Sequence, residues 1–378
     1  MPFNLSLAER EGAGLKRTLP VIERVDGRRL YVDGEQYLNF AGNDYLGLSR
    51  APELLAAAEQ AARHYGVGAV ASPLVVGHQA IHRELEAELC DWLGLEAVML
   101  FSSGFSANQA VIKALLGKEH SLWQDRLNHA SLQEAGLLSP ARMVRFGHND
   151  MNALEAKLKP AAGLIVSEGV FSMDGDTAPW PELVRLARAS NNWLMIDDAH
   201  GLGVLGREGR GTLDEQGLAP NSVNIFMGTF GKALGVSGAF VGGSRALVEY
   251  LHNFGRSYIY STHLPPPQAA AVLAGVHLVR QADDRRAHLR DLVARFRAGV
   301  AGLPLQLLPS ATAIQPLVVG EETATLKLAD ALKQQGLWIG AIRPPTVPKG
   351  SARLRITLSA AHTRADVQRL IDALHSAL

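Results

Sequence analysis

A chain of 378 residues with 47% hydrophobic content can bury a sizeable core, and that length suggests about two or three domains. Lysine plus arginine equals aspartate plus glutamate, 37 each, which excludes a global basic field for nucleic acid or an anionic membrane and leaves any anionic ligand to local groups. The single Cys90 excludes a disulfide framework within the chain.

The N-terminal stretch MPFNLSLAEREGAGLKR carries acidic residues and no apolar leader segment, and no run approaches a membrane span. With the lone cysteine, this points to a reducing cytoplasm. Cys90, in ELCDWLG, is expected on the apolar side of a helix as core packing. From about residue 95 one pattern recurs: a short apolar run, a polar or glycine-bearing loop, then a helical period. AVMLF precedes SSGFSANQAVIKALLG, GLIVSE precedes GVFSMDGDTAPWPELVRLARA, WLMIDD precedes AHGLG, and VNIFMG precedes TFGKALG. Such alternation predicts an α/β domain whose largely parallel sheet is buried on both faces. Ligands of such sheets sit at the carboxyl ends of the strands. Beyond YIYST a long helical period gives way to AIQPLVVG, LWIGAI and RLRITLS, strands among helices, and Thr363 followed by Asp366 signals the start of a last helix. The expected division is an N-terminal segment, 1–45, a large α/β domain, 46–275, and a smaller α+β domain, 276–378.

Gly201, Gly203 and Gly206 stand at G-x-G-x-x-G spacing after the strand WLMIDD. A dinucleotide site would need bare backbone there, with a helix N-terminus behind it. Asp197 and Asp198 would instead repel a pyrophosphate, and REGRGTLDEQG offers no apolar helical face. In GTFGKALG only Thr229 and Phe230 separate the glycines, and Ala233 follows Lys232, so the segment is not a nucleotide phosphate loop. A strand-end aspartate and a lysine on a glycine-rich turn suggest pyridoxal phosphate: the lysine forms the Schiff base and the carboxylate keeps the ring nitrogen protonated.

TFGKALGVSG, SEGVFSMDGD, IDDAHGLG, DRLNHASL and NFAGNDYLGLS, in that set and in their order along the chain, resemble the α-oxoamine synthases, pyridoxal-phosphate enzymes of fold type I. The resemblance runs from about residue 15 to the C-terminus. It implies a homodimeric C-acyltransferase that condenses an amino acid with an acyl thioester and loses carbon dioxide. By the same resemblance Lys232 carries the Schiff base and acts as general base, Asp197 pairs with the ring nitrogen, and His129 stacks on the ring. Ser172 and His200 reach the ring hydroxyl. Gly104, Phe105 and Thr229 hold the phosphate, joined by Thr262 of the neighbouring subunit. Arg343 matches the family's anchor for the amino-acid carboxylate, its side chain held by the Pro344–Pro345 turn. Asn43 is the matched polar residue beside the amino acid. Arg17, with Lys16 as competitor, meets the acyl substrate, and Thr346 and the Gly77–His78 turn are further substrate-side candidates. No metal is implied.

Within the family, AIRPPTVPKGSARLRITLSAAHT most resembles the members that join L-alanine to a pimeloyl thioester on CoA or a carrier protein. Members joining glycine to acetyl-CoA or succinyl-CoA, or serine to a long acyl-CoA, are the alternatives. One stretch departs from the family: YGVGAVASPLVVGHQ has Ala69, Val70 and Pro73 where smaller or polar residues are expected. Valine resists positive φ and proline lacks a donor, so a stiffer or reshaped loop is expected, with consequences for acyl specificity.

Overall fold

The computed structural model describes residues 3–12 and 15–378. The chain forms two compact units: one of Leu48–Ser172 with Thr177–Asp284, the other of the segment ending at Gly47 with Met173–Asp176 and Arg285–Leu378.

The first unit is built on a seven-stranded sheet. Its spatial order is Ala97–Phe101, Ala239–Gly243, Ile225–Thr229, Trp193–Asp197, Gly163–Glu168, Ser121–Asp125 and Arg142–Phe146. Ala239–Gly243 runs antiparallel to both its neighbours, and the remaining pairs are parallel. The strands read as continuous apolar runs because side chains on both faces are covered: Leu164, Ile165 and Val166 are all fully buried, as are Met195 and Ile196. Met99, Val111, Leu122, Val166, Met195 and Val241 belong to one core cluster. Full burial of each such side chain contributes roughly 1.5–3 kcal/mol.

Parallel strands bring their carboxyl ends to one edge of the sheet. The chain leaves that edge at Phe101, Asp125, Glu168, Asp197 and Thr229. The residues after each end are therefore neighbours in space although they lie far apart in sequence. Ser103 caps the helix Gly104–Leu115 by accepting the Ser106 N–H, and His129 caps Ala130–Leu138 by accepting the Ser131 N–H.

The glycine triplet has a packing explanation. Gly203 and Gly206 take positive φ, 84° and 74°, which glycine permits at no steric cost. A Cβ on Gly201 would lie 2.2 Å from both Asp198 Oδ1 and Thr212 Oγ1. The bare backbone makes room for the buried Asp198, whose two oxygens accept the Thr212 N–H at 2.7 Å and the Thr212 hydroxyl at 2.6 Å. Burial pushes the Asp198 carboxyl up to about 6, partly offset by these Thr212 hydrogen bonds.

The second unit holds two four-stranded sheets. In one, Arg24–Asp26, Arg29–Val32 and Glu35–Asn39 form an antiparallel meander, and Leu337–Trp338 pairs in parallel with Glu35–Asn39. The N-terminal segment and the C-terminal stretch thus share a sheet. The other has the order Gln306–Leu307, Ile314–Gly320, Ala352–Thr357, Gly340–Ile342, antiparallel throughout. The last helix, Arg364–Ala377, opens with the expected reciprocal cap between Thr363 and Asp366. Among the described residues no helix is long and apolar enough to cross a membrane.

Candidate active site

Gly104, Phe105, His129, Ser172, Asp197, His200, Thr229, Lys232 and Thr262 all belong to the first unit. All but Thr262 follow or close a strand at the carboxyl edge. Lys232 Nζ lies 2.7 Å from His200 Nε2, joining the loops after two adjacent strands. Asp197, 4% exposed, accepts from the Asn108 amide at 2.8 Å and the Ala199 N–H at 3.2 Å. Asn108 also donates to the Ser131 hydroxyl at 2.9 Å, and Ser131 Oγ stands 2.8 Å from His129 Nδ1. Burial lowers the His129 pKa against the pull of Asp197.

Glu168 closes the same set from the strand beside Asp197. It is 2% exposed and receives the backbone N–H groups of His129 and Ser172. Burial, with the Asp197 charge adding to it, raises its carboxyl well above the usual range. Thr229 directs its hydroxyl to the Gly238 carbonyl at 2.9 Å and accepts the Gly231 N–H at 3.3 Å. A contact from Thr229 to a phosphate therefore requires that hydroxyl to turn. Thr262 is exposed.

These residues fit pyridoxal phosphate. A carboxylate buried against two neutral donors complements a protonated ring nitrogen, which such burial would otherwise leave without its countercharge. The first-turn N–H groups of Gly104 and Phe105 open a twelve-residue helix and have no intrahelical partners, which suits a phosphate. Lys232 and His200 supply an amine and an imidazole at contact distance for the aldehyde and hydroxyl side of the ring.

The expected substrate residues, Arg17, Asn43, Arg343 and Thr346, all lie in the second unit. Arg17 donates to the Thr346 hydroxyl at 3.3 Å, whereas Lys16 pairs with Glu11 at 2.9 Å. Asn43 Oδ1 receives the Tyr45 hydroxyl at 3.2 Å and two nitrogens of Arg355, at 3.2 and 3.3 Å. Arg355 is 7% exposed on the strand Ala352–Thr357. Arg343 is half-buried and its carbonyl accepts the Thr346 N–H at 3.1 Å.

Arg355, Glu168, Asn108 and Ser131 were not picked out in the sequence. Three of the four carried a signal: an arginine inside the apolar strand RLRITL, a glutamate ending GLIVSE, and an asparagine on the buried face of SANQAVIKAL. Such residues at core positions need a partner or a function.

Two expectations are corrected. Cys90 is half-buried, its thiol raised by that burial, and does not sit in the core. Val70 does take positive φ, 57°, so the loop keeps a glycine-like bend there despite its side chain. Ser72 then caps a short π-helical turn, Pro73–Gly77. Gly77 closes it with a backbone approach that admits no Cβ, which would lie 2.2 Å from the Ala71 carbonyl oxygen.

A family profile described as aminotransferase class I and II matches residues 35–374. The 8-amino-7-oxononanoate synthase of Aeromonas salmonicida is 64% identical over 375 residues, 99% of this chain and 94% of that protein. Among solved structures, serine palmitoyltransferase from S. paucimobilis with a bound PLP-myriocin aldimine superposes with a TM-score of 0.94. It is 28% identical, and the alignment covers 99% of this chain and 96% of that one. The 8-amino-7-oxononanoate synthase of Francisella tularensis gives a TM-score of 0.80 at 28% identity, covering 90% of this chain and 97% of that one.

Proposed function

The chain belongs to the class I and II aminotransferase family, among its fold type I 8-amino-7-oxononanoate synthases, and from that premise we propose how its own residues serve the reaction. The reaction is a decarboxylative condensation of L-alanine with a pimeloyl thioester, giving 8-amino-7-oxononanoate, carbon dioxide and free thiol for biotin synthesis. The cofactor is pyridoxal 5'-phosphate, which when bound supplies an electrophilic carbon for the amino group and a ring that withdraws electrons from the alanine α carbon.

Lys232 would hold the cofactor through its amine, and that amine, when free, would take the proton from the alanine α carbon on Nζ. His200, 2.7 Å from that nitrogen, fixes its direction and, with Ser172, would hold the ring hydroxyl. The Asp197 carboxylate holds a proton on the ring nitrogen. His129, its Nδ1 turned to Ser131, would pack on the ring. The N–H groups of Gly104 and Phe105, the Thr229 hydroxyl and Thr262 of a second copy take the phosphate. The single observation that carries this reading is the convergence of Lys232, His200 and the buried Asp197 at one edge of the sheet.

For the alanine carboxylate, Arg355 is the anchor we favour over Arg343. Its fork is already oriented by Asn43, the residue expected beside the amino acid, and a planar fork matches a carboxylate in bidentate fashion. Arg17 and Thr346, in contact with each other, serve the acyl substrate. The protein works as a homodimer. Val67, Leu74, Val75, Val76 and Tyr260 in the first unit are all more than half exposed, an apolar load that a second copy would cover.

The deciding experiment is thiol release by the cofactor-loaded protein, comparing L-alanine plus pimeloyl-CoA with glycine plus acetyl-CoA. Release with the first pair alone is expected. Release with the second alone would keep Lys232 and Asp197 in their roles and make the product 2-amino-3-oxobutanoate. Testing pimeloyl carrier protein beside pimeloyl-CoA identifies the acyl donor.

A further inference from the structure

We propose that Asn108 is a positioning residue: its one amide fixes the Asp197 carboxylate and, through the Ser131 hydroxyl, holds His129 as the tautomer protonated on Nε2. Asn108 lies fully buried within the helix Gly104–Leu115, on a face shared with Ala107, Val111 and Leu115. Asparagine is a poor helix former because its side chain competes for backbone groups. Here the amide is used elsewhere. Nδ2 donates both its hydrogens, one to Asp197 Oδ2 at 2.8 Å and one to Ser131 Oγ at 2.9 Å.

The amide cannot be reversed, since Oδ1 would then face a carboxylate oxygen. Ser131 Oγ, already accepting from Asn108, has one proton to give, and His129 Nδ1 is 2.8 Å away. The Ser131 backbone N–H also points at Nδ1, at 3.2 Å. Two donors on one nitrogen leave it no place for a proton, so Nε2 carries it. Asn108 Oδ1, meanwhile, is buried without a hydrogen-bond partner. A dry acceptor costs stability, so what the amide gains lies on its nitrogen side. Of the other titratable groups around His129, Glu168 takes the His129 backbone N–H, and Lys232 acts only by its charge.

The inference rests on the proposed function only for what His129 and Asp197 face, and it is tested without cofactor. In cofactor-free protein labelled with 15N in the histidine rings, at about pH 8 where a histidine of ordinary pKa is neutral, long-range proton–nitrogen correlation reads the tautomer directly. The His129 signal is the one lost in His129→Asn. Wild type is expected to show Nε2 protonated and Nδ1 bare. In Asn108→Asp the new carboxylate captures the Ser131 hydroxyl proton and leaves Nδ1 only the backbone N–H of residue 131, so the proton shifts measurably from Nε2 toward Nδ1. In Ser131→Ala, which leaves Asp197 untouched, Nδ1 keeps only the backbone N–H at 3.2 Å, so the tautomer ratio shifts part of the way toward that of free imidazole. A wild-type proton on Nδ1 overturns the proposal, as does a wild-type pattern retained in folded Asn108→Asp or, should that variant not fold, in Ser131→Ala. Failure of thiol release with these tautomer shifts intact would sink the proposed reaction alone.

Discussion

Lys232 Nζ and His200 Nε2 stand 2.7 Å apart, a nitrogen pair in which one must donate and the other accept. Adjacent parallel strands, Trp193–Asp197 and Ile225–Thr229, deliver the two loops that make it. Replacing Lys232 by alanine removes both the proposed attachment point and the proposed base. Turnover is expected to fall by at least about 10³-fold, and borohydride should no longer fix the cofactor to the chain. Mass spectrometry of the reduced protein checks this; a fixed cofactor with residual turnover would move the role to another amine.

Arg355 is the proposed carboxylate anchor. Losing a charge-assisted hydrogen bond pair costs about 1.5–3 kcal/mol, so Arg355→Lys should raise KM for L-alanine roughly 10–100-fold. KM for the acyl thioester should stay put. Arg343→Ala should have the smaller effect on alanine, and the opposite ranking in steady-state kinetics would return the anchor to Arg343.

Gly201→Ala places a methyl 2.2 Å from Asp198 Oδ1 and Thr212 Oγ1, both buried. Overpacking of this kind costs about 1–3 kcal/mol. A drop of that size in urea-unfolding stability is expected. An unchanged midpoint would mean the Asp198–Thr212 pair yields without loss.

His362 stacks on Phe40 with centroids 4.3 Å apart, accepts the Ser359 N–H on Nδ1 at 3.0 Å, and gives its Nε2 proton to the Asn39 carbonyl at 3.0 Å. Burial lowers its pKa from 6.5 to about 4. With the folded value depressed, its stabilisation is fully present above pH 6.5 and lost as pH falls through 4. That window is worth about 3 kcal/mol. The stability difference between wild type and His362→Phe should shrink by roughly that amount between pH 7.5 and pH 4, as read by urea unfolding at each pH. A difference independent of pH would show that His362 becomes charged without penalty.

Val70, 83% exposed, holds φ at 57°, a region that costs an L-residue roughly 1–2 kcal/mol. Val70→Gly is expected to raise stability by about 0.5–1 kcal/mol, the relief being partly offset by glycine's freedom in the unfolded chain. A lower melting temperature would show that the valine side chain is held by contacts worth more than the strain.

The apolar runs and the residues after them announced both the parallel sheet and the edge where Lys232, Asp197, His200 and His129 gather. The loop from Tyr65 to Gln79 was legible only in part, because Val70 follows the backbone path that Gly77 and the Pro73 turn impose and not its own preference. Arg355 escaped notice because a buried strand does not reveal which of its polar side chains finds a distant partner, here Asn43.

What the sequence by itself determined is local: strands from apolar runs, a helix start from Thr363 and Asp366, a lysine on a glycine-rich turn after a strand. These rest on periodicity and backbone chemistry, which short segments carry in full. Tertiary structure alone decided which distant groups share a proton or a charge. Asn108 meets Asp197 across 89 residues and Asn43 meets Arg355 across 312, and hydrogen bonds reach only about 3 Å. Such pairings follow from where the sheet and its helices finally pack, which no short stretch of chain encodes.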